Sequence, residues 1–158
     1  MRKQLFSAIA QRLETHATGV AYIDLWNTHL DEMEGGAVWP TPAVFIEFET
    51  IEWEQLGLSL RQGDVAVRLH IVTQAVDHNG NDERIEEALK RFDLIEQIQQ
   101  AICGLAGEGF APLQLTTSAT NHQHDELIED IERYVTRAQE ADRFIRRNEV
   151  NITPNISR

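Results

Sequence analysis

Between Pro40 and Thr73 the chain alternates apolar and polar side chains twice over, and few folds accept that pattern. The first run, Pro-Thr-Pro-Ala-Val-Phe-Ile-Glu-Phe-Glu-Thr-Ile-Glu-Trp-Glu, puts Val44, Ile46 and Phe48 on one side and Glu47 and Glu49 on the other. The second, from Arg61 to Thr73, puts Val65, Val67, Leu69 and Ile71 on one side, with Arg68 and His70 opposite. Successive side chains of a strand point to opposite faces, so strict alternation predicts two strands buried on one side. The polar side also carries Phe45, Ile51, Trp53 and Val72 among its charges. A hairpin with one apolar and one mixed face predicts a sheet that packs on helices and also meets something else.

Helical periodicity supplies the packing partners. Leu5, Phe6, Ile9 and Leu13 share one face of residues 2–16, and Thr18-Gly19 ends that helix. A second helix runs from Asp82, with Asn81 or Asp82 as its cap, to about Gly104. Its inward stripe is Ile85, Ala88, Leu89, Phe92, Ile95, Ile98 or Gln99, and Ile102; Leu94 falls off it, which predicts a slight break at Phe92-Asp93. This helix is placed across the apolar face of the hairpin. Residues 20–27 alternate Ala21, Ile23 and Leu25 with Tyr22, Asp24 and Trp26 and read as a strand, as do residues 113–120. Residues 127–138 are two-valued. Leu127, Ile128, Ile131, Tyr134, Val135 and Ala138 fit a helical face, which periodicity favours, yet 131–137 also works as an extended run.

Charge and cysteine usage exclude several classes. The 158 residues fit a single domain able to bury a sizeable core. A formal net charge of -12 argues against nucleic acid as the main partner, since phosphate contacts need a basic footprint. Four arginines against Glu149 make residues 143–158 +3, leaving -15 on residues 1–142. We therefore divide the chain into a domain over 1–142 and a basic tail or arm over 143–158, which either meets the acidic face of a neighbouring copy or is a solvated terminus. Cys103, alone among apolar neighbours, is expected to be a buried thiol. No run is long and apolar enough for a signal peptide or a membrane span, so a bacterial cytoplasm is the expected compartment and no membrane the expected partner.

Catalytic chemistry has little to stand on. His122, His124 and Asp125 have metal-ligand residue types at close spacing, but no further ligand has a spacing that recruits it. Asp77 to Asp82 superficially resembles a calcium loop, with its glycine misplaced and Ala88 where the bidentate glutamate belongs. Glu47 with Glu49, Glu52 with Glu54 and Glu129 with Asp130 are paired carboxylates of the kind that forms cross-strand ion pairs. No phosphate loop or nucleophile motif is present, so we expect no enzyme, catalytic residue, cofactor or metal. Trp26, Trp39 and Trp53 are either core or interface anchors.

Several strings are familiar together: Tyr22-Ile-Asp-Leu-Trp-Asn27, Trp39 to Phe48, Trp53-Glu-Gln-Leu-Gly57, Arg68-Leu-His-Ile-Val72, Phe92-Asp-Leu-Ile95 and Asn121 to Asp130. They resemble a group of prophage-encoded proteins from Bacteroidetes-type bacteria. The order of elements is similar to that of the tail-terminator, or tail-completion, proteins of long-tailed bacteriophages. That resemblance spans nearly the whole chain. It implies an α+β subunit, with a mixed or antiparallel sheet and helices packed mainly on one face, and it makes Ile131 to Ala138 a strand followed by a turn. It further implies a homo-oligomeric ring, usually a hexamer, that caps the tail tube, joins it to the head and lets DNA pass through its channel. Tail-tube and head-completion proteins would be its partners, and the virion tail its destination after assembly in the host cytoplasm. Expected subunit contacts are Phe45, Ile51, Trp53, Arg68, His70 and the tail arginines Arg143, Arg146 and Arg147. An acidic channel lining formed by Glu47, Glu49 and Glu52 would repel phosphate. The rival expectations are a small α+β ligand- or protein-binding module with a pocket at the aromatic hairpin face and, third, a hydrolase built on His122, His124 and Asp125.

Overall fold

Two strands of fifteen residues form the spine of the sheet: β4 (Leu60–Gln74) and β6 (Leu127–Ala141). They pair antiparallel along their whole length, from Leu60 opposite Ala141 to Gln74 opposite Leu127. The computed structural model describes residues 1–27, 39–76, 82–121 and 126–141. Four further strands complete a six-stranded mixed sheet: β1 (Tyr22–Leu25), β2 (Ala43–Phe48), β3 (Glu54–Gln55) and β5 (Gln114–Asn121). The order is β1-β2-β4-β6-β5, with β3 paired to the first residues of β4. β1 runs parallel to β2, and the other pairings are antiparallel. Two helices, α1 (Arg2–His16) and α2 (Asp82–Ile102), make this an α+β fold.

Both helices lie on the sheet face to which Val44, Ile46, Val67, Leu69 and Ile71 point. Leu5, Ile9 and Leu13 recur every fourth residue on α1, and all three are buried there. Each fully buried aliphatic side chain of this size contributes about 1.5–3 kcal/mol relative to exposure. Tyr134 and Ala138 of β6 and Phe110 and Leu113 of the connection before β5 close the same core.

The second helix corrects the expected stripe. Leu94 is buried with Ile95, Ile98, Ala101 and Ile102, whereas Leu89 and Phe92 are exposed, and the helix continues through Phe92-Asp93. Leu94 owes its place to Gly19, in the turn after α1: a β-carbon there would stand 3.2 Å from Leu94 Cδ1. Leu94 thus packs against the turn after α1, and the face with Leu89 and Phe92 turns away from the core. Cys103 is likewise exposed rather than buried, because α2 ends at Ile102 and the chain turns outward through Gly104 at φ +79°.

Residues 127–141 are one uninterrupted strand, which corrects both the helical reading and the turn expected after Ala138. The apolar residues that mimicked a helical face divide between the two sides of the sheet. Tyr134 and Ala138 join the helix-side core, and Leu127 joins a second cluster opposite. A fifteen-residue ladder with β4 satisfies the backbone across the segment, and that non-local pairing outweighs local periodicity.

Ile51 and Trp53 also change sides. Both pack against the helix-side core instead of standing beside Phe45, because the chain leaves β2 at Phe48 and crosses over Gly63 of β4. The Glu52 carbonyl comes so close to Gly63 that a β-carbon there would lie 2.5 Å from it. The calcium-like stretch 77–81 and the tail 142–158 lie outside the described residues.

Candidate functional site

The face of the sheet turned away from the helices carries the chain's densest set of described polar contacts. Register builds it. Glu47 of β2, Arg68 of β4 and Arg133 of β6 form one cross-strand row, and Phe45, His70 and Ile131 form the next. Two arginines side by side repel each other unless an anion joins them. Glu49, just past the end of β2, does so: Arg133 donates to both its carboxylate oxygens, from Nε at 2.8 Å and Nη2 at 2.9 Å. Arg68 Nε donates to Glu49 Oε1 at 2.8 Å, while Arg68 Nη1 stands 3.6 Å from Glu47 Oε2. The Arg133 hydrogen bonds hold the Glu49 carboxyl below the usual glutamate range, against a smaller opposing effect of burial.

His70 is only 4% exposed. Its Nδ1 lies 2.6 Å from Glu129 Oε1 and its Nε2 lies 3.0 Å from Glu47 Oε2. Asn121 Nδ2 in turn donates to Glu129 Oε2 at 2.8 Å. The imidazole is sandwiched from above by the Trp26 indole, stacked at 3.8 Å with planes 4° apart. Two carboxylates in the plane and an aromatic face above hold one ring orientation.

Beside it lies a small aromatic core. Phe45, 0% exposed, meets Tyr22, Trp26 and Trp39 edge-on, with ring centroids 5.9, 5.9 and 4.9 Å away. Ala43, Val72 and Leu127 complete the cluster. The space above Phe45 is thus filled by the chain's own rings. Trp26 and Trp39 belong to this second core, while Trp53 sits apart under the Arg61 guanidinium at 4.6 Å.

Of the expected contact residues, the structure brings Phe45, Arg68 and His70 together on this face and places Ile51 and Trp53 on the helix side. Arg143, Arg146 and Arg147 lie outside the described residues, as do His122, His124 and Asp125. Among the described residues no group of three or more His, Cys, Asp or Glu side chains is arranged to hold a metal. Glu52 lines a polar groove with Thr50, Gln62, Asp64 and Arg137, away from Glu47 and Glu49.

Reading the sequence alone missed Arg133 and gave Glu129 no role on this face. A period-two count through 127–141 would have placed Glu129, Ile131 and Arg133 on one side and Asp130, Glu132 and Tyr134 on the other.

No family model matches the chain, and no curated protein matches it. Among solved structures, a chain of the "Virion of native gene transfer agent (GTA) particle" is similar. The match is at 13% identity and a TM-score of 0.46, covering 85% of this chain and 94% of that one. No described helix is long and apolar enough to cross a membrane.

Proposed function

We propose that this chain is a structural, non-enzymatic subunit that assembles with copies of itself into a closed ring at the end of a bacteriophage tail tube, between tube and head. The observation that supports this reading is how the sheet face opposite α1 and α2 is used. Glu47, Glu49, Arg68, His70, Glu129 and Arg133 are engaged with one another, an arrangement that holds a surface rigid. A catalytic pair needs two groups held in a cleft with environments that push their pKa values apart. A rigid, mixed apolar and charged sheet face suits contact with another protein surface. One of the two outer strands, β5, also leaves its outer edge without a strand partner among the described residues, which is a template for pairing with another chain. The resemblance of the order of elements to that of tail-terminator proteins points the same way, with tail-tube and head-completion proteins as further partners.

The rival reading as a binding module needs a pocket at the aromatic face, and there Phe45 is fully covered by Tyr22, Trp26 and Trp39.

Light scattering coupled to size exclusion, followed by negative-stain imaging, tests the proposal. A single species of several subunits with ring-shaped particles is expected. A strictly monomeric chain at high concentration that also fails to bind isolated tail tubes would overturn it.

A further inference from the structure

Between α2 and the β5–β6 pair runs a groove of about 500 Å³, walled by Phe92 and Ile95 on the helix and floored by Ser118, Thr120, Asp130 and Glu132 on the sheet. Both floor carboxylates are 3% exposed. Glu132 Oε2 accepts from Ser118 Oγ at 2.9 Å and from Gln99 Nε2 at 3.2 Å. Asp130 Oδ1 accepts from Thr120 Oγ1 at 2.6 Å. Asp130 Oδ2 is buried with no hydrogen-bond partner among the described residues; Arg91 Nε, 3.7 Å away, forms an ion pair with it beyond hydrogen-bond reach. Burial pushes the Glu132 carboxyl above the usual glutamate range, against the lowering effect of the Ser118 and Gln99 hydrogen bonds. Beside these acids, Phe92 presents a half-exposed ring, over which the Arg91 guanidinium lies 4.6 Å from the centroid. Arg91 pairs with only one of the two buried carboxylates among the described residues, so the groove suits a ligand that brings further guanidinium donors next to apolar carbons.

We infer that the groove receives the Arg143-Phe-Ile-Arg-Arg147 segment of a second copy of this chain. The segment carries three positive charges around two apolar side chains, matching a floor with two buried carboxylates and a wall made by Phe92 and Ile95. Distance rules out the same subunit. β6 ends at Ala141, opposite Leu60, whereas Asp130 stands opposite Ile71. Eleven residues of strand separate the two positions, about 36 Å at 3.3 Å per residue. Glu132, the nearer acid, is still nine residues of strand from Ala141, about 30 Å, whereas from Ala141 to Arg147 an extended chain spans at most about 22 Å. β6 ends at one end of the sheet and the groove lies toward the other, so an arm seated in the groove comes from another copy. Passed on from copy to copy, such a contact is head-to-tail and generates rings or filaments; exchanged between two copies, it closes a dimer. The inference rests on the assembly reading only in requiring that copies meet.

Disulfide trapping in the full-length chain tests it, with Cys103→Ser as background. The double variant Ser118→Cys/Ile145→Cys should oxidise to covalent dimers and higher multimers, and a mixture of the two single variants should yield linked pairs. Asp130→Asn with Glu132→Gln should lower the yield about tenfold, the loss of roughly one charged hydrogen bond. Circular dichroism of the same samples checks that they remain folded. A double variant that stays monomeric on a non-reducing gel, unlinked or closed on itself, overturns the inference. So does an unchanged yield in the folded charge variant. An oligomeric unsubstituted chain without cross-links removes the arm and leaves the ring standing; cross-linked copies that never close into rings do the reverse.

Discussion

The imidazole of His70 lies flat against the indole of Trp26, 3.8 Å apart and 4° from parallel, with Glu129 and Glu47 bonded to its two nitrogens. Removing the imidazole would leave two carboxylates facing a gap with no donor between them. His70→Ala is therefore expected to cost about 2–4 kcal/mol, and Trp26→Leu, which removes only the stack, about 0.5–1.5 kcal/mol. Urea midpoints measure both. If His70→Ala lands within about 0.5 kcal/mol of the unsubstituted chain, the ring is not what holds the two carboxylates.

Phe45 and Leu58 mark opposite extremes. Phe45 is wholly buried under aromatic rings, and Leu58, at the tip of the β3–β4 hairpin, is 96% exposed. Phe45→Ala should cost about 3–5 kcal/mol through the cavity it opens. Leu58→Ser should stay within about 0.5 kcal/mol. Equal effects in chemical denaturation would contradict the burial of Phe45.

Glu49 should shape the acid limb of the stability curve. Arg133, with Arg68 adding to it, lowers the folded-state carboxyl below its unfolded value. A lowered folded pKa contributes stability that is present above the unfolded glutamate range and lost as pH falls through the folded value. Glu49→Gln should remove that contribution, so the variant loses less stability than the unsubstituted chain as pH falls through the carboxylate range. Thermal midpoints across acidic pH test it, and parallel curves would rule it out.

Gly63 is required by proximity. Its backbone lies against the Glu52 carbonyl, with Ile51 Cγ2 and a Trp53 ring carbon each 3.3 Å from where a β-carbon would stand. Gly63→Ala is expected to cost about 1–3 kcal/mol. It should also lift residues 51–53 from the core, shifting tryptophan emission to the red; an unshifted spectrum with full stability would disprove the close approach.

Tyr134 points the opposite way. Its hydroxyl is buried in the helix-side core without a hydrogen-bond partner among the described residues, and burial drives its phenol well above the usual tyrosine range. Tyr134→Phe keeps the ring and removes the stranded hydroxyl, so it should leave stability unchanged or raise it by about 0.5–1 kcal/mol. A loss above about 1 kcal/mol would mean that the hydroxyl has a partner.

Much of the fold was legible because its signals are local. The apolar side of β4, the buried face of α1 and the strand at Tyr22–Leu25 follow from backbone period alone, whatever the rest of the chain does. Arg68 and His70 could also be placed on the face opposite the helices by counting in twos. The candidate site was less legible. Its key partners, Glu129 and Arg133, lie on β6, whose apolar residues serve two cores at once and so imitate a helix.

What the sequence determined by itself was the side of each alternating strand that must be buried, an acidic body with a basic end, and the absence of any recognised catalytic motif. Tertiary structure alone decided that residues 127–141 are extended, that α2 turns Leu94 inward and Phe92 outward, and that His70 rests between two carboxylates under Trp26. The reason is the range of the forces involved. Alternation is set by a residue's own backbone geometry, but register is set by pairing between strands some sixty residues apart, such as Arg68 with Arg133. The face a helix turns inward depends on packing such as that of Leu94 against Gly19, which exists only once the chain has folded.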